Sequence, residues 1–311
     1  MGRKNTSQAD DGELSNTSIP FDSEYSLGHE KLIDMFTQTL GSILNSEDLN
    51  QHIQSVKSCL YDRNYIEAFD SDDKRFAYVS RWTPARALAY TSLFASLDGI
   101  KELFEDKDKQ TEVLCIGGGA SSELVGLASV FCRQKEYNST SDSSLKMNII
   151  DIADWSKVVN SLTNYAQKNW MYDGSKLQAN FIHEDVLNQP KIDYGAQSLI
   201  TLLFTTNELF AEKRKETMAL LNTFNAKCTK GTLLLIAESA GSYSHITIGT
   251  RKFPVQFLID MTLIGKQGEN NGPWELIDES DSCWYRIETK KIDYPMKLEN
   301  MRFFYRLYRK K

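Results

Sequence analysis

Long apolar runs are absent from these 311 residues, so no segment reaches the roughly 20 consecutive apolar residues that a membrane-crossing helix needs. Histidine is scarce, with four in all. The five cysteines (Cys59, Cys115, Cys132, Cys228, Cys283) stand far apart without CxxC spacing. No zinc site is expected from such scattered ligands, and no metal. The opening Met1-Gly2-Arg3-Lys4, followed by Ser, Asn and Asp, lacks the apolar stretch of a signal peptide. Reduced thiols in cytoplasm or nucleus are therefore expected. A basic excess is missing too: 36 Lys and Arg against 42 Asp and Glu leave a net charge of -6. A broadly basic nucleic-acid coat is excluded, and any RNA contact has to be local. Basic clusters that qualify are Lys74-Arg75 with Arg81 and Arg86, Lys213-Arg214-Lys215, Arg251-Lys252, and Arg302, Arg306 and Arg309-Lys310-Lys311. Each is more often a solvated face than a binding surface.

What is present is the makeup of an ordinary globular protein, 41% hydrophobic and 25% charged. Residues 1–27, rich in Ser, Asn, Asp and Gly, offer little to bury and are expected to form a disordered tail. Residues 28–108 read as a helical extension. Leu32, Ile33, Phe36, Leu40 and Ile43, then Leu49, Ile53, Val56 and Leu60, recur at helical spacing. A further helix is expected to start at Thr83 as cap with Pro84 in the first position, and to run to Leu97. Over residues 109–311 short β-rich runs alternate with helical stretches, the pattern of a parallel sheet with crossover helices. Seven strands are predicted: 112–116, 147–150, 177–183, 198–204, 232–237, 282–288 and 301–308. Between the first five, helices are predicted over 122–134, 154–169, weakly near 190, and over 211–228. The last two strands lack a crossover between them and should pair antiparallel. The polar inserts 135–146 and 265–272 read as surface spacers.

The strongest local signal is Val113-Leu114-Cys115-Ile116-Gly117-Gly118-Gly119, followed by Ser122-Glu123 at a helix start. Three glycines between a strand and a helix let the backbone turn tightly and approach a ligand at the helix N-terminus. The next strand ends at Asp151, where an acid reaches a ribose diol, and the third ends at Asp185, where an acid can accept from an adenine amine. The fourth strand delivers Thr205, Asn207 and Glu208 to the same edge, able to orient an acceptor or take its proton. Asn207 could equally cap the following helix. Glu238, ending the fifth strand, is a candidate lining residue of the acceptor pocket.

Glycines after the first strand and acids after the second and third resemble the class I methyltransferases. The resemblance implies a Rossmann-like α/β fold with a seven-stranded sheet, its last strand inserted antiparallel, and S-adenosyl-L-methionine as cofactor, held by Gly117, Gly118, Gly119, Asp151, Asp185 and Thr205. One departure stands out. The family usually carries Asp or Glu two residues before the glycine turn, where this chain has Cys115. The methionine amino group must then be met from elsewhere.

A narrower resemblance rests on three stretches: Tyr65-Ile66-Glu67-Ala68-Phe69 with Arg81-Trp82-Thr83-Pro84-Ala85-Arg86, Leu199 to Phe210, and Met301-Arg302-Phe303-Phe304-Tyr305-Arg306-Leu307. From about residue 30 to the end the chain resembles the fungal large-subunit (25S) rRNA uridine-N3 methyltransferases. This implies N3-methylation of one uridine in large-subunit rRNA or a pre-ribosomal particle, in nucleus, nucleolus or cytoplasm. Thr205, Asn207 and Glu208 would then be catalytic, and Arg81, Trp82, Arg86 and Glu238 substrate-binding. Three other classes fit the residues: a small-molecule methyltransferase, a methyltransferase-like binding protein without activity, and a nicotinamide enzyme.

Overall fold

The computed structural model describes residues 16–106, 108–135, 141–240, 245–248, 251–266 and 268–311. Ten strands run in chain order: β1 (Asn16–Ile19), β2 (Gln110–Ile116), β3 (Ser144–Asp151), β4 (Leu177–His183), β5 (Leu199–Leu203), β6 (Leu233–Ser239), β7 (His245–Ile248), β8 (Arg251–Pro254), β9 (Trp274–Tyr285) and β10 (Met301–Lys310). Eight form one sheet in the order β1-β9-β10-β6-β5-β2-β3-β4, while β7 and β8 make a separate antiparallel ribbon. From β6 to β4 every pairing is parallel, whereas β10 is antiparallel to both β6 and β9. Strand order reverses at β2, which leads to β3 on one side and neighbours β5 on the other. In open α/β sheets that switch point opens a crevice at the carboxyl ends of the strands.

The central strands are continuous apolar runs because helices cover both faces. Alternate residues serve opposite cores. Val113, Cys115, Leu233 and Leu235 belong to one buried cluster with the N-terminal helices, and Leu114, Ile116, Leu234 and Ile236 to the other. Among the described residues no helix is long and apolar enough to cross a membrane.

Two expectations for the first hundred residues need correction. Residues 1–15 of the expected disordered tail lie outside the described residues, but 16–19 form a strand, and Ser26 and Leu27 are buried. Strand β1 pairs parallel with the sheet edge at β9, and Leu27 is buried with its N–H donating to Ser129 Oγ. A polar segment can do this because edge pairing needs only backbone donors and acceptors, which β9 would otherwise leave open. Nor does a helix start at Thr83. One helix, Asp72–Ser96, runs through Pro84, capped at Ser71, whose hydroxyl accepts from Lys74 N–H. Proline at 84 lacks the N–H that would reach the Ser80 carbonyl one turn back. That carbonyl instead accepts from the Tyr294 hydroxyl at 2.8 Å, so the helix survives. Tyr294→Phe is expected to lower stability by about 1–2 kcal/mol, because it leaves a buried carbonyl without its donor. Urea denaturation checks this, and an unchanged midpoint would contradict it.

The region predicted as one helix over 211–228 is two, Thr206–Glu212 and Arg214–Lys227, and short 3-10 turns Val186–Asn188 and Tyr194–Ala196 stand near 190. Strand β9 begins at Trp274, earlier than predicted, because Glu279 and Asp281 hide its strand pattern. Those acids flank Arg306, which is 5% exposed and paired with Glu279, Asp281 and Asp260. Arg306 is thus an internal cation and presents no charge to phosphate.

Candidate active site

The glycine turn is close-packed on all sides. Gly117 has φ +71°, and a Cβ there would lie 2.5 Å from Thr205 Oγ1. At Gly118 it would come within 2.9 Å of Cys115 Cβ, and at Gly119 it would enter the Trp155 ring at 2.0 Å. Asp151 ties this loop to the end of β3. Its Oδ2 accepts from Gly119 N–H and its Oδ1 from Ala153 N–H, both at 3.1 Å. Burial raises the Asp151 pKa, and the two backbone donors pull it back. Asp154 accepts from Ser156 N–H at the start of the next helix.

Beyond the turn a cleft of about 660 Å³ opens at the switch point. Gly117 and Asp151 line one wall, Asp185 and Lys213 another, Thr205 and Glu208 a third, and the N-terminal helices close it with Tyr65, Tyr78 and Arg86. Asp185 accepts from Leu187 N–H at 2.9 Å and from Lys213 Nζ at 2.6 Å. Thr205 is buried, donating to the Ile116 carbonyl. The Glu208 side chain looks into the cleft. Glu208 is open to solvent in the cleft, yet the protein around its carboxyl, with Glu238, Asp151 and Glu212 nearby, pushes its pKa up to about 7 against the pull of Arg86. Burial, with Glu208 and Glu212 nearby, pushes the Tyr65 pKa up to about 12.

Of the residues expected at the site, Gly117, Asp151, Asp185, Thr205, Glu208 and Arg86 converge on this cleft. Gly118 and Gly119 shape the turn behind it. Four others stand apart. Asn207 donates its N–H to Glu238, which is 4% exposed and also accepts from the Thr206 hydroxyl and Ser239 N–H. Glu238 therefore anchors the start of helix Thr206–Glu212 and does not line the acceptor side of the cleft. Arg81 and Trp82 border an adjoining cavity of about 250 Å³, whose lining shares Arg86 and Phe204 with the cleft.

Sequence reasoning missed Glu123 and Phe204. Glu123 is 4% exposed at the start of helix Ser122–Lys135, its Oε1 has no partner, and a Cβ on Gly118 would lie 3.6 Å from it. Burial pushes its pKa up to about 8, and burial holds the neighbouring Cys115 thiol neutral. An acid in the first helical turn reads from sequence as a favourable surface charge. Phe204 takes φ +59°, unusual for a bulky residue, and nothing in an apolar strand end announces it. Among the described residues no cluster of His, Cys, Asp and Glu could hold a metal ion.

Residues 36–309 match a family model described as "Putative SAM-dependent methyltransferase". The chain is similar to the 25S rRNA (uridine(2843)-N(3))-methyltransferase of Saccharomyces cerevisiae, 44% identical over 321 residues that cover 93% of this chain and 88% of that protein. Among solved structures it is similar to the N-methyltransferase NodS from Bradyrhizobium japonicum WM9, with 9% identity, 73% of this chain, 97% of that one and a TM-score of 0.38. An O-methyltransferase family 2 protein from Planctomyces limnophilus DSM 3776 shows 11% identity, 88% and 66% coverage and a TM-score of 0.38. Both scores lie under 0.5, so the fold is read from the strand order alone.

Proposed function

The chain belongs to the SAM-dependent methyltransferase family, and from that premise we propose that it methylates N3 of a uridine in large-subunit rRNA. The relative that is 44% identical carries that activity in its name. The observation that carries the reading at atomic level is Glu208, a carboxyl facing the cleft with its pKa pushed up to about 7. Uridine N3 is an imide nitrogen that must lose a proton before or during attack, and a base that titrates near neutrality suits the task.

The cleft fits the cofactor on two observations: a glycine turn in which any Cβ would clash, and an orphaned buried carboxyl oxygen beside it. When bound, S-adenosyl-L-methionine supplies a methyl group already activated on a sulfonium. Gly117, Gly118 and Gly119 would let the backbone approach it, Asp151 would grip the ribose, and Asp185 would accept from the adenine amine. Thr205 would support the turn at Gly117. Glu123 would take the methionine ammonium, the task for which Cys115 has no charge. In this reading residues 28–108 are a helical extension closing the cleft and 109–311 are the methyltransferase domain. Its substrate would be rRNA or a pre-ribosomal particle met in nucleolus, nucleus or cytoplasm.

Glu123→Gln is expected to weaken S-adenosylhomocysteine by about 10- to 100-fold, the worth of a charged hydrogen bond, while leaving 5′-methylthioadenosine, which lacks the amino acid, unaffected. With a pKa of about 8 the free carboxyl is mostly protonated at pH 7. An ammonium beside it favours the charged form, so binding of S-adenosylhomocysteine should release a proton. Calorimetry in buffers of different ionisation enthalpy reads this directly. Equal losses for both ligands would contradict the assignment.

The function itself is tested by incubating the protein with methyl-labelled S-adenosylmethionine and rRNA lacking the modification, then digesting to nucleosides. Label in 3-methyluridine is expected. Label in another nucleoside, or in small molecules only, would overturn the reading.

A further inference from the structure

We infer that the partition between the cleft and the adjoining cavity, formed by Arg86 and Phe204, is the subsite for the acceptor base, and that Arg86 stabilises the imide anion formed when N3 loses its proton. The inference rests on the proposed uridine-N3 activity and names the group that would carry its negative charge.

Arg86 is a cation with donors to spare. Among the described residues its single hydrogen bond goes to the Tyr78 hydroxyl at 2.5 Å, and no carboxylate lies within ion-pair distance. A guanidinium has five N–H donors in a planar fork. It is held in place by rings, with its carbon 5.8 Å from the centroids of both Tyr78 and Phe204. Burial pulls its pKa down, but Tyr78, Tyr90 and Glu208 outweigh that and keep the charge. Arg306 shows what an internal arginine with a structural task looks like in this molecule: three carboxylates surround it. Arg86 has none, so its spare donors face the two cavities.

Phe204 adds the second element. Its φ of +59° is a strained choice for an aromatic residue. The ring is fixed between Tyr90, stacked at 6.2 Å, and Phe303, edge-on at 6.2 Å. Strain held by such packing puts an aromatic surface on the wall shared by the two cavities, where a flat base can stack. The outer cavity is lined by Arg81, which lies over Trp82 at 5.6 Å from its centroid and pairs with Glu299, and by Arg302.

A uracil bound there has a carbonyl oxygen on each side of N3. Its N3–H proton passes to Glu208, and the negative charge left on N3, O2 and O4 is met by the Arg86 guanidinium. The N3–methyl bond forms as the donor sulfur–methyl bond breaks with its electron pair left on sulfur, and Glu208 returns its proton to water. Preorganised donors at a developing anion contribute roughly 100- to 1,000-fold in kcat.

The test uses the full chain with an RNA fragment carrying the target site, containing either uridine or 5-fluorouridine, whose fluorine makes N3 more acidic. Arg86→Gln is expected to lower kcat on uridine by about 100-fold or more, with S-adenosylhomocysteine affinity unchanged within a factor of two. 5-Fluorouridine should recover at least about tenfold of that loss, since less anion stabilisation is then needed. Arg86→Lys, which keeps the charge but loses the fork, should fall between and show the same recovery. A rise in KM alone without recovery by fluorine would overturn the inference while leaving the uridine activity intact. Absence of 3-methyluridine with the unmodified protein would instead overturn the proposed function and this inference with it.

Discussion

Replacing Asp151 with alanine is expected to abolish calorimetrically measurable binding of S-adenosylhomocysteine, a loss of at least about 100-fold. The reason lies in the double duty of this carboxylate. It faces the cleft at the end of β3, where a ribose diol would lie, and both of its oxygens already accept backbone N–H groups, from Gly119 and Ala153. Hydrogen bonds to a charged group are worth about 1.5–3 kcal/mol each. Alanine removes the ribose acceptor and at the same time releases the glycine turn. Asp151→Asn, which retains one carbonyl oxygen, should bind with intermediate affinity. Both variants should unfold cooperatively as the parent does, since neither loses core side-chain volume. Undiminished affinity in the alanine variant would refute the ribose assignment.

Glu208→Gln should have the complementary effect: kcat lower by about 100- to 10,000-fold, the usual contribution of a positioned base, with cofactor-product affinity within a factor of two. The pH profile carries the sign. A general base works as its carboxylate, so kcat should rise with pH through the value of about 7 to which the surrounding protein pushes this group, then level off. Below that pH the proton to be removed has nowhere to go. In the glutamine variant the acid limb should disappear, whereas a surviving limb would assign the titration to another group.

How far the sequence announced all this depends on the range of the interactions involved. The glycine turn, Asp151 and Asp185 were legible because they sit at strand ends whose period is visible within ten residues. The antiparallel pairing of β10 and β9 was legible from the lack of a crossover. The fate of Pro84 was not, since the hydroxyl that replaces its missing donor comes from Tyr294, 214 residues after Ser80. Nor was β1, a polar segment recruited by the β9 edge. Asp151, Asp185 and Glu208 do line the cleft at the carboxyl edge, but Glu238 turns down to hold a helix start and Glu123 turns in under the glycines. Direction of that kind is set by tertiary packing, to which a one-dimensional pattern has no access.

The most direct test of the account is mass spectrometry of large-subunit rRNA nucleosides from cells lacking this gene and complemented with either the parent or the Glu208→Gln coding sequence. The expected result is the loss of one 3-methyluridine, restored by the parent and not by the variant. Unchanged 3-methyluridine in the deletion cells, or full restoration by the variant, would contradict it.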